Sequence, residues 1–184
     1  MSTRFLVIVG TSLLVVLGLI EVIHTQSVYA QTGRAAPSDV AALKEEIETL
    51  KRLLPDQAHG MADVDYHFSN LWFAAHSANW PLAEFYLGET RSHLNWVVRM
   101  RPVRRLAGGG QVDLRPILQN VESSGLSDIR ASIGKRDLSA FETAYRGTMT
   151  QCYGCHVASE KPYLRPRIPE TPATRMIDLR GKAD

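Results

Sequence analysis

Residues 138–159 read LSAFETAYRGTMTQCYGCHVAS, and this stretch decides the fold. Asp137 stands directly before it and can cap a helix. Apolar or small residues recur every three or four positions, which is typical of one buried helical face. That face comprises Phe141, Ala144, Tyr145, Thr148, Cys152 and Cys155. The stretch therefore predicts a long helix that carries both cysteines of the chain on its inner side.

Three further helical segments precede this helix. They cover residues 62–78, residues 80–101 and residues 113–123, the last continued over about 126–134 after a glycine. Each has apolar residues at helical spacing, and no segment outside the N-terminus shows the alternation of a strand. The sequence predicts an all-α fold in which residues 61–160 form an antiparallel four-helix bundle.

Two segments flank this domain. Within residues 31–60, residues 40–54 form two heptads with apolar positions at Val40, Leu43, Ile47, Leu50 and Leu54. They predict an additional N-terminal helix, which either joins copies of the chain as a homo-oligomer or stalk, or packs on its own domain. Residues 161–184 hold four of the nine prolines and predict an extended C-terminal tail.

The first 30 residues resemble a secretory signal. Arg4 precedes an uncharged stretch over residues 5–20, and Val28 and Ala30 fit the small-residue rule for cleavage before Gln31. As an uncleaved helix the stretch would span only about 24 Å, short of a bilayer core, although it remains a possible membrane anchor. We expect export to the periplasm. A net charge of +2 does not suggest a nucleic-acid partner.

Cys152 and Cys155 lie three residues apart, and His156 follows at once. A disulfide between these cysteines would close only a very short loop and link no distant parts of the chain. A zinc site would lack a second Cys/His pair. A thioredoxin-type redox pair would leave His156 without a role. Cys-x-x-Cys-His is the attachment signature of c-type haem. On a helix both sulfurs share a face and can each bond one haem vinyl group, while the imidazole ligates the iron. The motif predicts one covalent haem c.

The motif lies on the last helix of a four-helix domain. This arrangement resembles the class II cytochromes c, the cytochrome c′ and cytochrome c-556 family, over about residues 61–158. The resemblance implies that Cys152 and Cys155 are the covalent sites and that His156 is the proximal ligand. In that family the sixth position is empty beneath an apolar residue or filled by methionine, in each case from the first helix.

The sixth position decides the function, because a strong ligand favours electron transfer and an open site permits gas binding. His67, on the apolar stripe of the first helix, is the leading candidate ligand, although a histidine there is also typical of a hydrogen-bonded core. The other candidate ligands are Met61 at the helix start, His76, and His59 in the helix-breaking stretch PDQAHG, residues 55–60. Alternatively, the site is open and Phe68 or Leu71 forms an apolar cap over the iron.

Two polar groups remain open to interpretation. His93, with Glu89 four residues before it, either lies near the haem or forms a helix–helix hydrogen bond. The arginines of RMRPVRR, residues 99–105, can pair with haem propionates, dock an acidic redox partner, or form a solvated helix end.

These observations favour a monohaem periplasmic electron carrier that works with a redox partner protein. A five-coordinate protein that binds or senses NO or CO is the alternative. A haem peroxidase has less support, because the spacing of the histidines and arginines does not demand a distal base and polariser. The haem domain can also be one subunit of a larger redox assembly.

Overall fold

The structure is a computed structural model that describes residues 37–181, which are mostly helical. The predicted signal or anchor at residues 1–30 lies outside the described residues. Within residues 37–181, no helix is long and apolar enough to cross a membrane. The chain divides into two compact units, Met1–Leu53 and Leu54–Asp184.

The described part of the first unit is helix α1, Pro37–Leu53. It ends two residues before Pro55, as the breaker predicts. Its heptad positions are exposed: Leu43 at 54%, Ile47 at 49% and Leu50 at 55% of their surface. The choice between an oligomerisation helix and one that packs on its own domain therefore stays a prediction.

The second unit carries the remaining elements. In chain order they are α2 (Gln57–His76), α3 (Trp80–Met100), β1 (Val103–Arg105), β2 (Gln111–Asp113), α4 (Leu114–Val121), a π-helical turn (Glu122–Leu126), α5 (Ser127–Lys135) and α6 (Leu138–Ala158). Helix α2 packs along α3, and α6 packs against α2, α4, α5 and the π-helical turn. The core lies between them, with Leu71, Leu87, Ile129, Phe141 and Tyr145 almost completely buried.

Helix α2 begins five residues before the predicted start at residue 62, so the prediction of a breaker at residues 55–60 is wrong for its last four residues. Asp56 caps the helix, because its side chain accepts a hydrogen bond from the backbone N–H of His59. Gly60 is buried against α3, where a Cβ atom would collide with the side chain of Val97 and lie 3.3 Å from that of Trp96. This glycine marks a close helix–helix approach instead of a break.

The expectation that no strand follows the N-terminus is also wrong. Strands β1 and β2 pair antiparallel, with Arg104 opposite Val112. The loop between them contains Gly109 and Gly110 at φ of +87° and +91°, values that favour glycine. Three residues per strand are too few to show alternation in the sequence.

The tail from residue 161 packs on the helices as extended chain. Leu179 is only 9% exposed and belongs to the core cluster. The buried Asn70 of α2 accepts hydrogen bonds from the backbone N–H groups of Ala173 and Thr174, at 3.0 and 3.1 Å. Near the end of the described chain, the N–H of Gly181 donates to the carbonyl of Ser77. The tail thus runs from the end of α6 to the end of α2.

Candidate functional site

The two cysteines lie on one face of the last part of α6, three residues apart, as free and partly buried thiols. Burial raises the pKa of the Cys152 thiol to about 11. Burial also raises the pKa of Cys155, although a hydrogen bond with Ser159 and the charge of Arg104 oppose the shift. Both groups are neutral thiols near pH 7, in an apolar setting that suits thioether sulfur.

His156 is held by the tail. Its Nδ1 lies 2.6 Å from the backbone carbonyl oxygen of Leu164. A carbonyl oxygen only accepts, so Nδ1 carries the proton and donates this hydrogen bond. The neutral ring then has its lone pair on Nε2, which is the atom that binds a metal when the other nitrogen donates to a carbonyl.

A tight reversal of the chain makes this contact possible. After α6 ends at Ala158, Glu160 adopts φ of 56° and the N–H of Lys161 donates to the carbonyl of His156. Tyr153, between the two cysteines, donates from its hydroxyl to the carbonyl of Pro162 at 3.1 Å. The guanidinium of Arg165 lies 5.3 Å from the same ring. The motif and the start of the tail therefore fix one another.

Gly154 leaves open space at the motif. A Cβ atom built there would meet nothing within 4 Å, and the residue is exposed. At 100° per residue, Gly154 lies about 130° round the helix from the centre of the cysteine-bearing side, so this space is on the solvent-facing side of α6.

One arginine of the 99–105 run reaches the motif. Arg104 lies close enough to Cys155 to lower the pKa of that thiol, and its Nη1 donates to the side-chain oxygen of Gln57 at 2.8 Å. Its Nε–H is buried and has no hydrogen-bond partner among the described residues. Arg99 and Arg105 are exposed, which agrees with a solvated face or a docking surface.

Helices α2 and α6 run antiparallel with a clear register. His76 Nε2 lies 3.0 Å from Glu142, Trp72 packs on Phe141 and Tyr145, and Phe68 stacks on Tyr145 at 4.2 Å. The hydroxyl of Tyr145 also donates to the carbonyl of Phe68. Toward its N-terminus, α2 therefore runs along the part of α6 that bears the cysteines.

Helical spacing divides the candidate sixth ligands between two faces of α2. Met61, near the start of α2, lies seven and eleven residues before Phe68 and Trp72 and so shares their α6-facing side. His67 lies about 120° round the helix from the centre of that side, at 100° per residue. Its ring contacts are instead with Tyr66, Tyr86 and His93, the last two on α3.

His67 belongs to a polar cluster between α2 and α3 that is separate from the Cys-x-x-Cys-His motif. Its ring stacks on that of His93 with centroids 4.8 Å apart. Glu89 Oε2 lies 3.8 Å from His93 Nε2, and Asp63 Oδ2 lies 3.6 Å from His93 Nδ1. Burial lowers the pKa of His67, and the charge of His93 lowers it further, so a neutral ring is favoured.

The remaining candidates have other roles. His59 Nδ1 lies 2.8 Å from Asp56 at the cap of α2, and His76 Nδ1 lies 2.8 Å from the carbonyl of Trp72. Leu71 is fully buried in the core. Phe68 is the apolar candidate that contacts α6, through Tyr145.

Sequence reasoning missed Leu164, Asn70 and Asp63. Leu164 acts through its backbone carbonyl, which leaves no signal in the sequence. Asn70 looks like a solvent-facing polar residue until the tail covers it. Asp63 stands four residues before His67, as Glu89 does before His93, and this repeated spacing was the available signal.

Comparison with known proteins gives no neighbour: no family model, no curated protein and no solved structure matches the chain. The chemistry of the site itself therefore carries the functional conclusion.

Proposed function

We propose that the protein is an exported monohaem c-type cytochrome that transfers electrons. Cys152 and Cys155 hold the haem, His156 binds its iron, and residues 61–160 form an antiparallel four-helix bundle of the class II kind. The signal-like residues 1–30 support export to the periplasm, and exposed arginines such as Arg99 and Arg105 offer a docking face for an acidic redox partner.

The observation that carries the proposal is the hydrogen bond from His156 Nδ1 to the carbonyl of Leu164. It fixes the tautomer and the ring orientation, and it raises the basicity of Nε2 as a ligand. A thioredoxin-type dithiol needs no such support for a neighbouring histidine. The bond therefore favours a metal-binding role for His156 over a redox role for the two thiols alone.

The thiols suit covalent attachment. Cys152 and Cys155 would hold the haem through thioether bonds: each S–H would add across one vinyl C=C bond, with the sulfur bonded to one vinyl carbon and the hydrogen to the other, so that nothing leaves. The i, i+3 spacing on α6 directs both sulfurs to one side. Bound haem would supply an iron that changes between two oxidation states.

The register of α2 against α6 favours Met61 as the sixth ligand. Met61 shares the α6-facing side of α2 with Phe68 and Trp72. Its half-buried thioether is a ligand suited to electron transfer, because a six-coordinate iron changes valence with little rearrangement. His67, the leading candidate from sequence, lies on the α3-facing side and competes with Met61 in the same test.

The test is the visible spectrum of the haem-loaded protein, oxidised and dithionite-reduced, before and after addition of CO. We expect a sharp reduced α band that CO leaves unchanged. Met61→Ala should give a high-spin spectrum that shifts with CO, while Met100→Ala, which replaces a methionine in the last turn of α3, should not. Mass spectrometry should find one haem per chain.

Three outcomes contradict parts of the proposal. Haem that stays covalently bound in the Cys152→Ala/Cys155→Ala double variant would refute the attachment site. A CO-sensitive wild-type spectrum would replace electron transfer by gas binding. A CO-sensitive His67→Ala variant beside an unchanged Met61→Ala variant would make His67 the sixth ligand.

A further inference from the structure

We propose that His67, Glu89 and His93 form a second metal site, for a divalent transition cation of the Zn²⁺ type, between α2 and α3. Asp63 supports this site through His93. The site lies on the α3-facing side of α2 and does not involve the Cys-x-x-Cys-His motif. It requires that His67 is not the sixth ligand of the proposed haem, so a CO-sensitive His67→Ala variant would contradict it.

The three side chains already converge. One ligand atom from each lies within 4.8 Å of the others. His93 Nε2 and Glu89 Oε2 are 3.8 Å apart, whereas ligand atoms on a tetrahedral ion with bonds of about 2.0–2.1 Å are about 3.3 Å apart. Small side-chain rotations therefore close the site, without movement of either helix.

The backbone explains why the residues meet. Glu89 and His93 are four residues apart on α3, and Asp63 and His67 are four apart on α2, so each pair shares one helical face. The two helices pack closely along their length, and Gly60 permits their approach. Metal sites in helical bundles are built in this way, from carboxylates and histidines on facing helices.

The cluster has unmet bonding capacity. The Nδ1 atom of His67 is buried and makes no hydrogen bond within the described residues. The contacts of His93 with Glu89 and Asp63, at 3.8 and 3.6 Å, are longer than hydrogen bonds. Buried polar atoms normally have a bonding partner. A cation among these side chains would give one ring nitrogen of His67 and one of His93 such a partner.

Asp63 completes the arrangement as an outer carboxylate. It lies on the Nδ1 side of His93, opposite Nε2, which faces Glu89. A carboxylate that accepts from the distal N–H of a ligating histidine orients the ring and strengthens its binding. His93 would therefore bind the cation through Nε2.

The donor set selects the cation. Two imidazoles and one carboxylate suit Zn²⁺ and similar transition ions, whereas Ca²⁺ and Mg²⁺ prefer oxygen ligands throughout. His93 and Glu89 remain 27% and 37% exposed, so the site opens to solvent. Three protein ligands on a tetrahedral ion leave the fourth position to water.

The experiment is calorimetric titration of the full, haem-loaded chain with Zn²⁺ after treatment with EDTA and removal of the chelator. We expect one Zn²⁺ per chain. Glu89→Gln and His93→Ala should each weaken binding by at least about tenfold, and Asp63→Asn by about tenfold, as for other outer-shell partners. His59→Ala, which replaces a histidine of α2 outside the cluster, is the control and should bind as the wild type does.

The proposal is overturned if wild type binds no Zn²⁺, or if Glu89→Gln and His93→Ala bind it as tightly as wild type does. Circular dichroism of each variant checks folding, and Glu89→Gln keeps the size of the side chain. Haem content and the reduced α band are read on the same samples. Loss of Zn²⁺ binding with an unchanged haem spectrum separates this site from the haem, and a failed haem assignment leaves the Zn²⁺ result intact.

Discussion

Replacing Asn70 by alanine tests whether the tail is part of the folded unit. The side chain is fully buried in α2, and its Oδ1 accepts from Ala173 N–H at 3.0 Å and from Thr174 N–H at 3.1 Å. Alanine removes both acceptor contacts and leaves two backbone donors of the tail without a partner. We expect the tail to detach locally around these residues.

The magnitude follows from the two hydrogen bonds. Each contributes a net of about 1 kcal/mol, so the free energy of unfolding falls by up to about 2 kcal/mol. The buried Nδ2 of Asn70 has no hydrogen-bond partner among the described residues, and its removal offsets part of this loss. With a urea dependence of about 2 kcal/mol per molar, the unfolding midpoint falls by up to about 1 M.

Urea unfolding followed by circular dichroism measures this shift, and brief trypsin treatment under native conditions measures tail release through cleavage at Arg175. Ser69→Ala changes a neighbouring residue whose hydroxyl lies 3.4 Å from Asp65, and is the control. An unchanged midpoint together with an unchanged rate of cleavage in Asn70→Ala would refute the account of the tail given above.

Two substitutions and one labelling experiment test the packing around the site. Gly125→Ala places a Cβ atom 2.5 Å from Thr148 Oγ1, so the free energy of unfolding in urea should fall by about 1–3 kcal/mol. Burial raises the pKa of Glu122, but the hydrogen bonds from Arg91 and Asn95 lower it by more. The net result is a pKa below the ordinary value of 4.5. Glu122→Gln should therefore cost about 1 kcal/mol at pH 7, and the difference from wild type should vanish as the pH falls below 4.5. In the haem-free chain at pH 7, iodoacetamide should alkylate Cys152 far more slowly than in urea, since a pKa of about 11 leaves roughly one thiol in 10⁴ ionised.

Each of these predictions has a control. Gly147→Ala adds a methyl group in open space on α6 and should stabilise by up to about 1 kcal/mol. Glu170→Gln removes an exposed partner of Arg167 and should change stability little at any pH. Equal alkylation rates with and without urea would mean that Cys152 is not buried. A Gly125→Ala variant as stable as wild type would mean that the π-helical turn shifts to accommodate the added methyl group without a loss of unfolding free energy.

Local chemistry made several elements predictable. The cap at Asp137 is confirmed, because its side chain accepts a hydrogen bond from the backbone N–H of Ala140. The long helix α6 is confirmed as well, with Phe141, Tyr145 and Thr148 buried on its inner face. The mostly helical character follows from apolar spacing that persists over whole segments.

The features that sequence did not predict depend on distant partners. Gly60 looks like a helix breaker until Trp96 and Val97 are seen against it. The strands Val103–Arg105 and Gln111–Asp113 are too short for a pattern. The neighbours of His67 lie on another helix, and only the relative rotation of α2 and α3 brings His93 to it. Apolar spacing predicts which residues form a helix, but not how two helices are turned toward each other.

The burial of Cys152 has a consequence for biogenesis. Once α6 has packed, the sulfur is shielded and almost fully protonated, so it reacts slowly. For the cytochrome proposed above, haem addition and chain folding would compete, and their relative rates would determine the fraction of chains that carry the cofactor. Substitutions that accelerate folding would lower the yield of holoprotein, even where they leave the finished molecule more robust.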